Sequence, residues 1–197
     1  MKQEKMQLLE GEGGIFTRAL DFAAMKHEGK YRKNPEARVP YIVHPVKVAI
    51  MLMEAGFDKE VVAAGLLHDT VEDSDATIEG LREEFGDRIA GFVDAVTEPG
   101  KDMSWKVRQE AYLRKVEAAG GAVLAISACD KIDNMRSMLQ SLKAGYNIFE
   151  NLNAPVKDQL AKFERLLRGY EGKVPMPVER LFVATLQELG AAAGGFQ

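Results

Sequence analysis

Leu66-Leu67-His68-Asp69-Thr70-Val71-Glu72-Asp73 places one imidazole and three carboxylates in six consecutive residues, directly after the apolar run Val61-Val62-Ala63-Ala64-Gly65. Residues four apart share a helix face, so a continuous helix sets His68 over Glu72 and Asp69 over Asp73. His68 and Asp69 then point about 100° apart, and one ion can be held in the angle between them. Burying such groups unpaired is costly. A bound metal with carboxylates around it settles them; a helix end whose acids simply face water is the plainer alternative. The motif alone does not separate the two, so the remainder of the chain decides.

Outward from this stretch, the chain reads as helix after helix. Upstream, Asp58 is a suitable N-cap for the helix that delivers His68 and Asp69. Before it, His44-Pro45 opens a helix to about Ala55, with proline in the first turn. That helix is apolar on nearly every side (Val46, Val48, Ala49, Ile50, Met51, Leu52, Met53), which predicts burial, with Met51 and Met53 as core filler. A first helix is expected from about Gly14 to Glu28, with His27 near its end in a packing or helix-ending role. Imidazolium is favoured there by the helix dipole. A basic loop from Lys30 to Pro40 joins the two.

Downstream, Asp75 or Thr77 opens a short helix ending at Phe85-Gly86, and Asp87 starts another with Ile89, Phe92, Val93 and Val96 at helical spacing. Glu98 to Asp102 is a turn. Ser104 caps a helix carrying Trp105 and Tyr112, expected to be packing residues, and Gly120-Gly121 ends it. A long apolar helix from about Ala122 to Leu142 carries Asp130, Asp133, Asn134 and Arg136. Helices at about 156–169 and 178–189 follow, separated by a linker at Val174-Pro175-Met176-Pro177, and the tail from Ala191 should fray. No segment alternates as a strand. The fold class is all-α: eight or nine helices in a single domain spanning 1–197, with a motif core at about 14–142 and a helical C-terminal extension at about 154–190.

Composition bounds the function. Of 197 residues, 46% are hydrophobic and 28% charged, ordinary values for a globular domain. A formal net charge of -4 argues against a general nucleic-acid or membrane-surface partner, though not against a small phosphorylated ligand held by a local basic patch. Cys129 is the single cysteine, expected to be buried and inert, so no internal disulfide forms and a reducing cytoplasm is the default. Met1 to Leu9 lacks the pattern of a signal peptide, and no stretch has the length of a membrane span. The expectation is a soluble cytoplasmic protein.

The chain has three histidines, each at or beside a chemically loaded segment. His44 begins one buried helix, His68-Asp69 end the next, and Asp130 lies inside a third. Together they form a plausible shell for one divalent ion, and mixed nitrogen and oxygen donors suit manganese, iron, nickel or zinc better than calcium or magnesium. Asn134 shares a helix face with Asp130, where it can order the site or touch ligand. Glu72 and Asp73 follow one turn after the metal pair, where a carboxylate can take a proton from an activated water.

These segments resemble the metal-dependent phosphohydrolases with a histidine-aspartate (HD) motif, and among them most closely the small alarmone hydrolases and the hydrolase domain of RelA/SpoT enzymes. The matching stretches are Phe22 to Lys33 (FAAMKHEGKYRK), Pro40 to Pro45 (PYIVHP), Leu66 to Asp73 and Asp130 to Arg136 (DKIDNMR). Shorter matches are Phe85-Gly86, Val96-Thr97 and Trp105 to Arg108. Similarity runs from about Phe16 to Arg136 and continues weakly to about Gly169.

The resemblance implies that His44, His68, Asp69 and Asp130 bind Mn2+. It implies that Glu72 and Asp73 are catalytic, activating the attacking water, and that Arg32, Lys33 and Asn134 bind the nucleotide. The implied activity is (p)ppGpp 3′-pyrophosphohydrolase, releasing pyrophosphate and GDP or GTP as part of the stringent response, without a synthetase domain. Two departures stand out. Ser127 occupies a position where the family usually has lysine, removing a basic contact to phosphate, and Asp133 replaces a frequent histidine. Both are expected to touch the pocket wall rather than the metal shell. They keep two other readings open: a phosphohydrolase acting on ppApp or the 2′-phosphate of NADPH, and a non-catalytic nucleotide-sensing module.

Overall fold

The computed structural model describes residues 14–33, 38–100, 103–152 and 154–196. The readings of Met1 to Leu9, part of the basic loop (34–37) and the end of the turn at 101–102 lie outside them. Among the described residues the fold is helical throughout, with one isolated antiparallel bridge between Tyr31 and Pro40. In chain order the helices are α1 (Ile15–Lys26), α2 (Val43–Glu54), α3 (Lys59–Leu67), the single turn α4 (Thr70–Asp73), α5 (Ile78–Phe85) and α6 (Asp87–Val96). They continue with α7 (Trp105–Ala119), α8 (Gly121–Lys143), α9 (Val156–Tyr170) and α10 (Met176–Ala193), and 3-10 turns cover Ile148–Asn151 and Gly194–Phe196. None of them is long and apolar enough to cross a membrane.

Helix α8 is the axis of the molecule. Residues 123–133 are buried without interruption, because α8 is packed by α2, α3, α6, α7, α9 and α10 around its circumference. A helix covered on all sides has no polar face, as its apolar sequence demands. Gly120 makes the reversal from α7 into α8 with φ 83°, a left-handed conformation that costs other residues about 1–2 kcal/mol. Cys129 is buried here, and burial pushes its thiol up to about 12, so it is the inert packing residue expected.

The predicted caps hold at Asp58, which accepts from the backbone N–H groups of Glu60 and Val61, and at Thr77, which accepts from Gly80. Ser104 occupies the N-cap position of α7 but makes no side-chain cap. Four expectations need correction. Helix α2 is not buried all round: Ile50 and Met53 are about half exposed, and of the two methionines expected in the core only Met51 is there. Residues 176 and 177 are not linker but the first turn of α10, where proline lacks no hydrogen bond it would otherwise make. The tail does not fray at Ala191, because buried Leu189 and Ala193 hold α10 to its end. Gly121 opens α8 rather than closing α7.

The helix crossing that matters for the site is α2 on α3. Small residues (Ala49 on one side, Ala63, Ala64 and Gly65 on the other) are fully buried and let the two backbones approach. A Cβ at Gly65 would lie 2.5 Å from Leu52 Cδ1 and 3.7 Å from Ala49 Cα. Gly65→Ala is therefore expected to destabilise the protein: overpacking costs about 1–3 kcal/mol, against about 1 kcal/mol gained in helix propensity. Urea unfolding should show a lower midpoint at unchanged slope.

Candidate metal centre and active site

The sequence places His68-Asp69 at the end of a helix, and the structure puts a break there. Helix α3 ends at Leu67, and His68 and Asp69 form a turn before α4. Side chains compete for the carbonyls at the break: His68 Nδ1 lies 2.7 Å from the Gly65 oxygen, and Thr70 Oγ1 donates to the Leu67 oxygen at 2.7 Å. The backbone bond from Asp73 N–H to the Asp69 oxygen survives at 3.0 Å, so one turn of the expected register is kept.

His44, at the start of α2, brings its Nε2 within 3.3 Å of both Asp69 Oδ2 and Asp130 Oδ1. His68 Nε2 lies 3.2 Å from Asp69 Oδ2 and 3.9 Å from Asp130 Oδ1. Ligating atoms of His44, His68 and Asp130 all fall within 4.8 Å of one another, and Asp69 closes a further side. Two helices and one turn thus bring two imidazoles and two carboxylates together.

The donor set fits a divalent ion. Each imidazole has its Nδ1 engaged, His44 with Asp133 Oδ2 at 2.7 Å and His68 with the Gly65 oxygen. A carbonyl can only accept, so His68 carries its proton on Nδ1 and turns the Nε2 lone pair inward; Asp133 favours the same tautomer in His44. Both Nε2 atoms are buried without a hydrogen-bond partner. Two donors about 2.1 Å from one ion stand about 3.0–3.4 Å apart, the range in which three of the four nitrogen–oxygen distances fall.

Further groups orient the carboxylates. Tyr41 Oη donates to Asp69 Oδ2 at 2.6 Å, Asn134 Nδ2 donates to Asp130 Oδ1, and Lys131 Nζ donates to Asp130 Oδ2 at 2.7 Å. Burial alone would raise both aspartates, but the charges of Lys131 and the imidazoles outweigh it and hold them well below the usual range. Burial likewise works against His44 charging. The nearby Asp130 carboxylate, the hydrogen bond to Asp133 and the nearby Asp69 carboxylate overcome it and lift His44 to about 10.

Other predicted residues take distinct places. Glu72 is half-buried, with Oε1 accepting from Glu98 N–H at 2.7 Å; burial first, then the charge of Asp69, raise its carboxyl to about 7. Asp73 lies at the end of α4. Arg32 reaches Asp133 Oδ2 and Asn134 Oδ1, both at 3.3 Å, and is not a solvated loop charge. Arg32, Lys33 and Asn134 line a cavity of about 270 Å3 together with Tyr31, Tyr41 and Met138. Asp133 corrects the expectation set for it. It does not face solvent: it is buried, backs His44 and pairs with Arg32 and Lys47, with which it lines a small cavity. His27 ends α1 as expected, yet burial lowers its pKa and keeps it neutral despite the helix dipole.

Sequence reading gave no role to Tyr41, Lys131 or Glu98, although all three lie in quoted motifs or turns. A lysine inside a helix apolar on every side was the available signal for Lys131, since only a paired ammonium can be buried there.

A family model described as the HD domain matches residues 19–151. The chain belongs to the HD-domain family. The HD domain here is 41% identical over 124 residues to a guanosine-3′,5′-bis(diphosphate) 3′-pyrophosphohydrolase of Aquifex aeolicus, covering 61% of this chain and 17% of that longer protein. It therefore spans a small part of the first such relatives. It is 31% identical over 177 residues to a zebrafish (Danio rerio) guanosine-3′,5′-bis(diphosphate) 3′-pyrophosphohydrolase, MESH1, covering 86% of this chain and 93% of the relative. A solved structure, described as a metazoan orthologue of SpoT that hydrolyses ppGpp and plays a role in starvation responses, superposes with a TM-score of 0.75 at 26% identity, covering 90% and 97% of the two chains.

Because the surrounding carboxylates raise His44 in the metal-free site, a divalent ion competes with a proton there, and affinity rises with pH. Calorimetric Mn2+ titrations at pH 7 in buffers of different ionisation enthalpy should show proton release. Asp133→Ala, which frees the His44 ring, should weaken Mn2+ binding about 10–100-fold while His68 remains in place.

Proposed function

We propose that the chain is a metal-dependent (p)ppGpp 3′-pyrophosphohydrolase whose ligands are His44, His68, Asp69 and Asp130. The observation that carries this reading is the pair of buried, partnerless imidazole Nε2 atoms facing two carboxylates, with a carboxyl near neutrality one turn away. Relatives bearing that activity by name align along most of the chain. Mn2+ is the ion we assign, in a single domain with its core at about 14–142, working in a reducing cytoplasm where the lone buried Cys129 stays a thiol.

A divalent ion at this point supplies charge to the phosphoryl oxygens and lowers the pKa of water. The chain's own groups do the remainder. Glu72, poised near 7 with Oε1 already occupied by Glu98 N–H, takes the proton of the attacking water. The water oxygen bonds to the phosphorus next to the ribose, the bond from that phosphorus to the 3′ oxygen breaks, and the 3′ oxygen takes up a proton from solvent. Asp73 orients the water. Arg32 and Lys33 meet the nucleotide, and the cavity they share with Asn134, Tyr31 and Met138 offers a partly apolar slot for the base.

A base must be deprotonated to work, so turnover should rise with pH through an inflection at or below about 7, since a bound cation can only lower Glu72. Anion-exchange separation of products from ppGpp, with Mn2+ and with chelator, tests the reading. GDP and pyrophosphate should appear only with metal. Glu72→Gln should bind Mn2+ normally but lose about 10²–10⁴-fold in rate, and His68→Ala should lose metal and activity together. A fully active Glu72→Gln protein refutes the assigned base. A clear preference for ppApp or NADPH over ppGpp refutes the assigned substrate.

A further inference from the structure

Charge around the active site is unevenly spent. Arg32 is tied to Asp133 and Asn134, Lys47 lies 3.5 Å from Asp133, and Lys131 is bound to Asp130. Ser127 is occupied too: its Oγ lies 2.7 Å from the hydroxyls of both Tyr112 and Tyr170, a closed and buried trio. It offers nothing to a ligand. Lys106 of α7 and Lys162 of α9 have no carboxylate within ion-pair distance among the described residues.

Both line a cavity of about 170 Å3 between α7 and α9, with Trp105, Gln109, Glu110 and Arg165. Its two acids are already compensated. Glu110 is held by Arg114 at 2.9 Å and Arg165 at 3.6 Å, and Asp158 lies in the first turn of α9, where the helix dipole offsets it. One lining residue is linked to the active site by a short relay: Gln109 Nε2 donates to Glu98 Oε1 at 3.1 Å, and Glu98 N–H donates to Glu72 Oε1.

We propose that this α7–α9 cavity is an anion site, with Lys162 and Lys106 as its cations, that receives the terminal phosphate of the diphosphate arm being cleaved and holds the pyrophosphate product. Burial and the neighbouring Lys131 ammonium draw Lys162 down to about 8, as expected for a cation short of counter-charge. An anion there would restore it. Lys162 lies beyond the 19–151 family match, so α9 adds to the HD core a charge that Ser127 does not provide. Only the identity of the anion as product rests on the phosphohydrolase reading; the site itself does not.

Trp105 is the chain's single tryptophan and lines the cavity, so its fluorescence reports occupancy directly. Inorganic pyrophosphate is titrated into the full chain with chelator present, so that no metal contributes. A saturable change is expected, weakened at least tenfold in Lys162→Met and in Lys106→Met, and weakened by salt. Both substitutions keep an aliphatic side chain, so thermal midpoints and Mn2+ affinity should match the wild type. No saturable change, or equal affinity in wild type and Lys162→Met, overturns the site. With metal-loaded protein, Lys162→Met should relieve inhibition of ppGpp turnover by pyrophosphate; unrelieved inhibition overturns the product role. A chain that binds pyrophosphate through Lys162 yet turns over no nucleotide keeps the anion site and refutes the enzymatic reading instead.

Discussion

Two imidazole lone pairs and two carboxylates meet at a point where α2, α3 and α8 cross and water is largely excluded. Such a cluster is tolerable only if every remaining polar atom on these side chains is matched, because an unpaired charge in that setting costs several kcal/mol. The structure meets the condition from behind. Asp133 and the Gly65 carbonyl take the outer nitrogens, Tyr41 and Asn134 donate to the carboxylates, and Lys131 neutralises Asp130. What remains unmatched is the inner face, aimed at one point.

Packing and chemistry are therefore the same problem in this molecule. The close approach of α2 and α3 rests on alanines and Gly65, and Gly65 also lends its carbonyl to His68. Helix α8 carries Asp130, Lys131 and Asp133 in its most buried stretch, where each has a partner from another element or from its neighbour. The break after Leu67 is part of the same arrangement. Its side chains spend the helix-end carbonyls on orienting His68, and the short α4 turn then lifts Glu72 towards Glu98.

The two departures from the family pattern differ in consequence. Asp133 is absorbed into the support of a metal ligand, a role that a histidine there could not fill as an anion. Ser127 is absorbed into a tyrosine-bounded core and leaves a gap in positive charge. Helix α9, outside the HD core, carries Lys162, a further cation that lines the α7–α9 cavity.

By itself the sequence determined the helical class, most helix boundaries, the caps at Asp58 and Thr77, and the pairing of His44, His68 and Asp130 that the fold brings within reach of one ion. Periodicity, capping chemistry and the placement of rare histidines are local signals, and they were sufficient for that. It misjudged Met53 and the start of α10, where a helix exposes one edge or tolerates proline in its first turn. Only the tertiary structure decided which nitrogen of each histidine faces inward, that Asp133 stands behind His44, and that Tyr41 donates to Asp69. Those facts depend on which atoms of distant segments come within three or four ångströms, and nothing in the spacing along one chain encodes that.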